Sequence, residues 1–126
     1  MKTTELKKLP ESEFEIMAAI WAEGESVTSD LLMERLRKDW KKTTLLSLLT
    51  RLCERGFLRC DKDGKHNVYT ALVREEDYIK MESAGFLRRV HRGSVARLVA
   101  SLYDGEAITR ADLEELEAFI REAKEC

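Results

Sequence analysis

Three short amphipathic segments lead into an Asp63-Gly64 dipeptide flanked by strand-type residues, and this succession constrains the fold more than any other feature. Asp-Gly between two such runs is a strong short-range hairpin signal. It predicts one strand over Phe57-Leu58-Arg59-Cys60-Asp61 and a second over His66-Asn67-Val68-Tyr69-Thr70-Ala71-Leu72, with Lys62-Asp63-Gly64-Lys65 as the tip.

The segments before the hairpin read as helices. The first is expected to start near Pro10, since proline is tolerated in a first turn. Glu11, Glu13 and Glu15 suit the positive end of its dipole, and Phe14, Met17, Ala18 and Trp21 form its apolar stripe. Glu23-Gly24-Glu25 ends it. Thr28 or Ser29 caps a second helix, with Asp30 in its first turn and Leu31, Leu32, Leu36 and Trp40 along its stripe. A short basic turn, Lys38-Asp39-Trp40-Lys41-Lys42, leads to a third helix from about Thr43 to Glu54 or Arg55, which Gly56 stops. At 100° per residue, Leu45, Leu48, Leu49 and Leu52 share one face of the third helix. Thr43, Ser47, Thr50 and Glu54 lie opposite, with Leu46 and Arg51 on the flanks. Helix, helix, helix and hairpin at these lengths make a winged helix-turn-helix.

The outward face of the third helix is unusual. Solvated helix faces favour Glu, Lys and Gln, whereas Thr43, Thr44, Ser47 and Thr50 each cost a few tenths of a kcal/mol of helix propensity. A helix lying in the major groove needs small polar residues, because bulky ones hold its backbone away from the bases. Their hydroxyls reach phosphates or base edges, and threonine methyls or Leu46 suit thymine methyls. Arg51 reaches a phosphate or a guanine edge. Lys41 and Lys42 before the helix, and Lys62 and Lys65 at the hairpin, suit phosphate contacts that position without specifying. His66 is expected to be an ordinary strand residue. Double-stranded DNA is the expected partner; the alternative is a winged helix that binds protein and not DNA, since fold alone does not settle function.

Taken alone, the net charge of −2 over 126 residues opposes a polyanion partner, but it averages two regions. Between Arg35 and His66 stand ten basic residues, Arg37 and Lys38 among them, and four acidic ones. That is a net of +6 against −8 for the rest of the chain. From Asp104 to Cys126 there are eight acids and three bases. A basic middle beside an acidic tail is the asymmetry of a local polyanion-binding surface.

After Leu72 the pattern changes. A long helix is expected from Glu75 to about His91, with Tyr78, Ile79, Met81, Phe86, Leu87 and Val90 as apolar points. Arg92-Gly93-Ser94 breaks it. Val95, Leu98, Val99 and Leu102 mark a short helix that Asp104-Gly105 ends. Thr109, with Asp112 three residues on, caps a last helix striped by Leu113, Leu116, Phe119 and Ile120. Helices this short with stripes this narrow hold little core of their own. The division expected is therefore 1–72 as a winged-helix DNA-binding domain and 73–126 as a helical dimerisation region. Its contacts would be Phe86, Leu87, Val90, Val95, Leu98, Val99, Leu102, Leu113, Leu116, Phe119 and Ile120. A two-fold partner is the commonest way to cover such stripes and matches palindromic half-sites about one DNA turn apart. The fold class expected is mainly α, with a small β-hairpin wing and a C-terminal helical dimerisation arm.

Several chemistries are set aside. No apolar run approaches the ~18 residues of a membrane span, and the first eight residues have no apolar signal region, so a cytoplasmic location is expected. Cys53, Cys60 and Cys126 match no C-x-x-C pair or zinc set, and no metal or cofactor is expected. They read as reduced cysteines with packing roles or none. A metal- or redox-responsive role for Cys53 and Cys60 would require their side chains to converge. Two distant histidines and the absence of G-x-S-x-G, P-loop and H-E-x-x-H motifs leave no catalytic constellation, so no enzyme is expected.

With helices and wing placed, the sequence resembles the penicillinase-repressor (BlaI/MecI/CopY) family of transcriptional regulators. The likeness lies in Leu9-Pro10-Glu11-Ser12-Glu13-Phe14-Glu15-Ile16-Met17 with Trp21, and in Thr43 to Leu52 followed by Arg55-Gly56-Phe57-Leu58. It continues in Val68-Tyr69-Thr70-Ala71-Leu72-Val73, in Gly93-Ser94 with Val95, Leu98 and Val99, and in Asp112-Leu113-Glu114-Glu115-Leu116. It covers nearly the whole chain from Leu9 to about Ile120. The resemblance implies a homodimer on a palindromic operator that blocks transcription. In antibiotic-responsive members it also implies a membrane sensor that triggers cleavage in the penultimate helix, commonly at an Asn-Phe bond. The corresponding bond here is Ser101-Leu102. Copper-responsive members carry paired C-x-C motifs near the C-terminus, where this chain has only Cys126.

Overall fold

The structure is a computed structural model that describes residues 6–24, 26–36 and 39–126. Residues 1–5, Glu25 at the expected end of the first helix, and Arg37 and Lys38 of the basic turn lie outside the described residues. The described elements are α1 (Glu11–Glu23), β1 (Ser26–Thr28), α2 (Ser29–Leu36), α3 (Lys42–Glu54), β2 (Leu58–Asp63), β3 (His66–Ala71), α4 (Glu75–His91), α5 (Val95–Asp104) and α6 (Arg110–Glu125). No helix among the described residues is long and apolar enough to cross a membrane.

The architecture is mainly α with a small antiparallel sheet, as the pattern predicts, but the sheet has three strands in the order β1-β3-β2. The hairpin pairs Leu58 with Ala71 through to Asp63 with His66, so its loop is only Gly64-Lys65. Gly64 (φ 65°) sits first in that loop, where a two-residue hairpin turn requires a positive φ. β1 pairs on the other side of β3, Val27 facing Tyr69, and Ser26 and Thr70 share a 2.8 Å hydroxyl hydrogen bond.

The chain divides by its contacts into two units, Met1–Glu82 and Ser83–Cys126. The division falls within α4, ten residues beyond the expected boundary at Leu72, and the physical reason is Tyr78. This residue is buried, its hydroxyl accepts the Leu9 backbone N–H at 2.8 Å, and its ring packs on Phe14, Trp21 and Phe57 at 5.6–5.8 Å between centroids. The start of α4 thus belongs to the first unit.

The core of the first unit holds Ile16, Met17 and Ile20 of α1, Leu32 of α2, Leu45, Leu49 and Leu52 of α3, and Val27, Leu58 and Tyr69 of the sheet. The face α1 buries differs from the expected stripe. Met17 is on it, but Phe14 is exposed and turns with Trp21 to the Tyr78 cluster, while Ile16, Ile20 and Glu13 point inward. Glu13 is 1% exposed and accepts from Nε of Arg55 at 2.9 Å. That pair joins the first turn of α1 to the residue that caps α3. Past it the chain leaves α3 through a Schellman turn: Gly56 (φ 82°) donates to Cys53, and Phe57 donates to Leu52.

In the second unit, Ser94 caps α5 by accepting the Arg97 N–H. Thr109 and Asp112 cap α6 reciprocally, as their spacing predicts. The break after α5 is displaced by one residue: Gly105 keeps a negative φ and Glu106 takes the left-handed position at 59°. No apolar side chain between Ser83 and Cys126 is buried within the chain.

Removing one partner of a buried ion pair leaves an uncompensated charge. Arg55→Ala should therefore lower stability in urea unfolding by about 2–4 kcal/mol, discounted from the fully buried range because Arg55 is itself partly exposed. An unchanged midpoint would show that Glu13 does not need its partner.

Candidate nucleic-acid interface

α2, the turn before α3, and α3 itself form the helix-turn-helix, and the leucine stripe decides which way α3 faces. Leu45, Leu49 and Leu52 are fully buried, and Leu48 half-buried. With that stripe anchored, Thr43, Thr44, Ser47, Thr50 and Arg51 are all exposed. Leu46 is half-buried and packs partly against the core, so only part of its side chain faces outward.

α3 begins one residue earlier than expected. Lys41 is its extended N-cap residue and makes no side-chain cap; its carbonyl accepts the N–H groups of Thr44 and Leu45. The first turn contains no acid. Uncapped N–H groups, the positive end of the dipole and the Lys41 and Lys42 side chains therefore act in the same sense, toward an anion.

Thr50 offers less than its type implies. Its hydroxyl donates to the Leu46 carbonyl at 2.9 Å, so its proton is committed within the helix and a lone pair remains for a ligand. The Arg51 guanidinium has no ion-pair partner among the described residues and points to no internal task. On the wing, Lys62 lies within β2 rather than at the tip, and Lys65 is in the loop; both are exposed.

Asp30 is the residue that sequence reasoning missed. In the sequence it reads as an acid placed for the α2 dipole. In the structure its two oxygens join three elements: Oδ1 accepts from Lys42 Nζ at 2.9 Å, and Oδ2 lies 3.9 Å from Nδ1 of His66. The Lys42 hydrogen bond and charge hold its carboxyl below the usual range, with a smaller contribution from His66. One exposed acid thus bonds to the start of α3 and lies beside His66, the strand residue next to the loop of the wing. Its signal in the sequence is weak, because both partners lie at least twelve residues away.

Among the described residues, no cluster of three or more His, Cys, Asp or Glu side chains is arranged to hold a metal ion.

The sequence profile of the penicillinase repressor family matches residues 9–122. The penicillinase repressor of Bacillus licheniformis is 29% identical over 123 residues, 94% of this chain and 96% of the relative. The methicillin resistance regulatory protein MecI of Staphylococcus aureus (strain N315) is 31% identical over 110 residues, covering 86% of this chain and 89% of the relative. Among solved structures, the DNA binding domain of the repressor BlaI matches with a TM-score of 0.52 at 28% identity, over 60% of this chain and 94% of that one. The monomeric form of Bacillus licheniformis BlaI in complex with the blaP half-operator matches with a TM-score of 0.50 at 29% identity, over 59% and 92% of the two chains.

Asp30 places a negative charge on a face otherwise suited to phosphate, and it occupies Lys42. In a DNA titration across salt concentrations, Asp30→Asn should tighten binding to non-specific duplex several-fold at low salt and steepen the salt slope by up to about one. Weaker binding would mean that the bridge positions α3 and the wing more than its charge repels.

Proposed function

The chain belongs to the penicillinase repressor family and is a DNA-binding transcriptional repressor, not an enzyme; from that premise we propose that it binds a palindromic operator as a homodimer, with α3 in the major groove. The observation that carries this reading is the hydroxyl-rich face of α3, held outward by a buried leucine stripe and flanked by exposed cationic side chains.

In this reading Thr43, Thr44 and Ser47 approach base edges and phosphates, and Leu46 presents its outer part to a thymine methyl. Thr50 accepts, and Arg51 donates to a guanine edge or a phosphate. Lys41, Lys42, Lys62 and Lys65 neutralise phosphates on either side. The protein-only alternative gives no reason for a helix to forgo propensity on its exposed face.

The dimer is supported by the second unit. Val95 is 60% and Phe119 65% exposed, and Phe86, Val90 and Ile120 are exposed as well. Leu87, Leu98, Val99, Leu102, Leu113 and Leu116 are only half-covered. Such a quantity of apolar surface on a charged chain is covered most simply by the same surface of a second copy. The helices beyond Glu82 supply that arm, and the first unit supplies the DNA-binding part.

Release through a membrane-sensor protease, which the family resemblance implies, would act at Ser101-Leu102. Both residues lie in the last turn of α5. The Ser101 carbonyl accepts the Gly105 N–H and the Leu102 carbonyl accepts that of Ala107, so cleavage there would first have to open this turn.

Binding to the region upstream of its own coding sequence should weaken steeply with salt, as counterion release requires. Arg51→Ala should cost about 1–3 kcal/mol with relaxed specificity at one base pair; an equal loss on every sequence would make Arg51 a phosphate contact. Phe119→Glu should convert the protein from dimer to monomer in sedimentation and weaken operator binding. A monomeric starting protein would remove the dimer from the account.

A further inference from the structure

Two of the three cysteines converge at the seam between α3 and the wing. Cys53 lies in the last turn of α3, one helical turn beyond buried Leu49, and packs half-buried against the core. Cys60 lies on β2 two residues beyond buried Leu58, and the strand register sets it opposite buried Tyr69. Alternate residues of a strand share a face, and so do residues directly opposed in an antiparallel pair. Leu58, Cys60 and Tyr69 therefore project to the same, helix-covered side of the sheet, against which α3 packs.

Electrostatics agree with this placement. Burial, and then the charge of Cys60, push the Cys53 thiol up. The Tyr69 phenol is likewise pushed up, first by burial, and it feels both thiols and interacts with the Cys60 side chain. Access to the two differs: Cys60 is exposed and Cys53 is half-buried. The repressor function described above uses neither.

We propose that Cys53 and Cys60 are a peroxide-oxidised pair, whose disulfide ties the end of the reading helix to the first wing strand and weakens operator binding. The regulatory half of this inference rests on the repressor reading. Exposed Cys60, as thiolate, attacks hydrogen peroxide or an organic hydroperoxide. An S–O bond forms, the O–O bond breaks, and water or an alcohol leaves, so that the sulfur is oxidised by two electrons and the peroxide reduced. The Cys53 sulfur then attacks the Cys60 sulfenic sulfur. The S–S bond forms, the S–O bond breaks, and the hydroxyl leaves as water with the Cys53 proton. The order follows from access and ionisation: Cys53, sheltered and held protonated, is a poor first nucleophile toward peroxide and a suitable resolving thiol.

A disulfide holds its two Cβ atoms about 3.8 Å apart. Closing it fixes the last turn of α3 against β2, and the reading helix and wing lose their freedom to seat together on the duplex. Reduction restores that freedom, as expected of transient disulfides in a reducing compartment.

The test uses the full-length protein, reduced and then treated with hydrogen peroxide, with the region upstream of its own coding sequence as the DNA probe. Trypsin separates Cys53, in residues 52–55, from Cys60, in residues 60–62, so a linked peptide reports the bond directly. The expected result is that linked peptide together with binding weakened about tenfold, the loss of about one base contact, and recovery with dithiothreitol. Cys60→Ser and Cys53→Ala should each abolish both effects, and Cys126→Ser neither. Linkage through Cys126, linkage between two chains, or no linkage would overturn the pair. Unchanged binding by the linked protein would overturn the switch alone. Failure of the reduced protein to bind the probe would instead overturn the repressor reading, and the regulatory proposal with it.

Discussion

The anchoring of α3 by Leu45, Leu49 and Leu52 is the constraint on which the candidate interface depends. Each side chain is fully buried in the core that α3 shares with α1, α2 and the sheet. A helix fixed along one stripe has no freedom to rotate, so the opposite face stays outward and its residues are released from packing duties. That release is what lets Thr43, Thr44 and Ser47 be small and polar where a stability-driven surface would carry stronger helix formers. Gly56 completes the arrangement: its left-handed turn sends the chain directly from the end of α3 into β2, the first strand of the wing.

Charge is arranged around this frame in two ways. Glu13 and Arg55 form a partly sheltered pair that registers α1 against the end of α3. Its role is positional, because taking a carboxylate out of water offsets much of the attraction gained. Asp30 does the converse at the start of α3, fully in solvent, where its pairing with Lys42 is weak enough for a phosphate to displace. One end of α3 is therefore held by a pair with a buried carboxylate, and the other is left exchangeable.

How much of this was legible in the sequence depends on the range of each interaction. α3, the hairpin, α4 and the capped α6 are specified locally, by apolar period, Asp63-Gly64 and the Thr109-Asp112 spacing, and each was readable. β1 was not. Three residues carry no periodic signal, and the strand exists because Val27 finds Tyr69 forty-two residues away. The inward face of α1 was misread for the same reason: a glutamate in a first turn looks like a dipole partner until Arg55 is brought to it. The domain boundary moved because Tyr78 reads as one apolar point of a helix, whereas its contacts lie in Leu9, Phe14, Trp21 and Phe57. Asp30 and the convergence of Cys53 and Cys60 are equally products of tertiary placement.

The second unit presents the opposite economy, with well-capped helices and no buried apolar side chain of their own. Local signals specify its helices completely and leave its packing to another surface. The central claim, that two copies place two α3 helices on one operator, is tested most directly by hydroxyl-radical footprinting of the full-length protein on the region upstream of its own coding sequence. The account predicts two equivalent protected patches on one face of the duplex, centred one helical turn of about 10 base pairs, or a whole number of turns, apart. A single patch, or two patches on opposite faces, would contradict it.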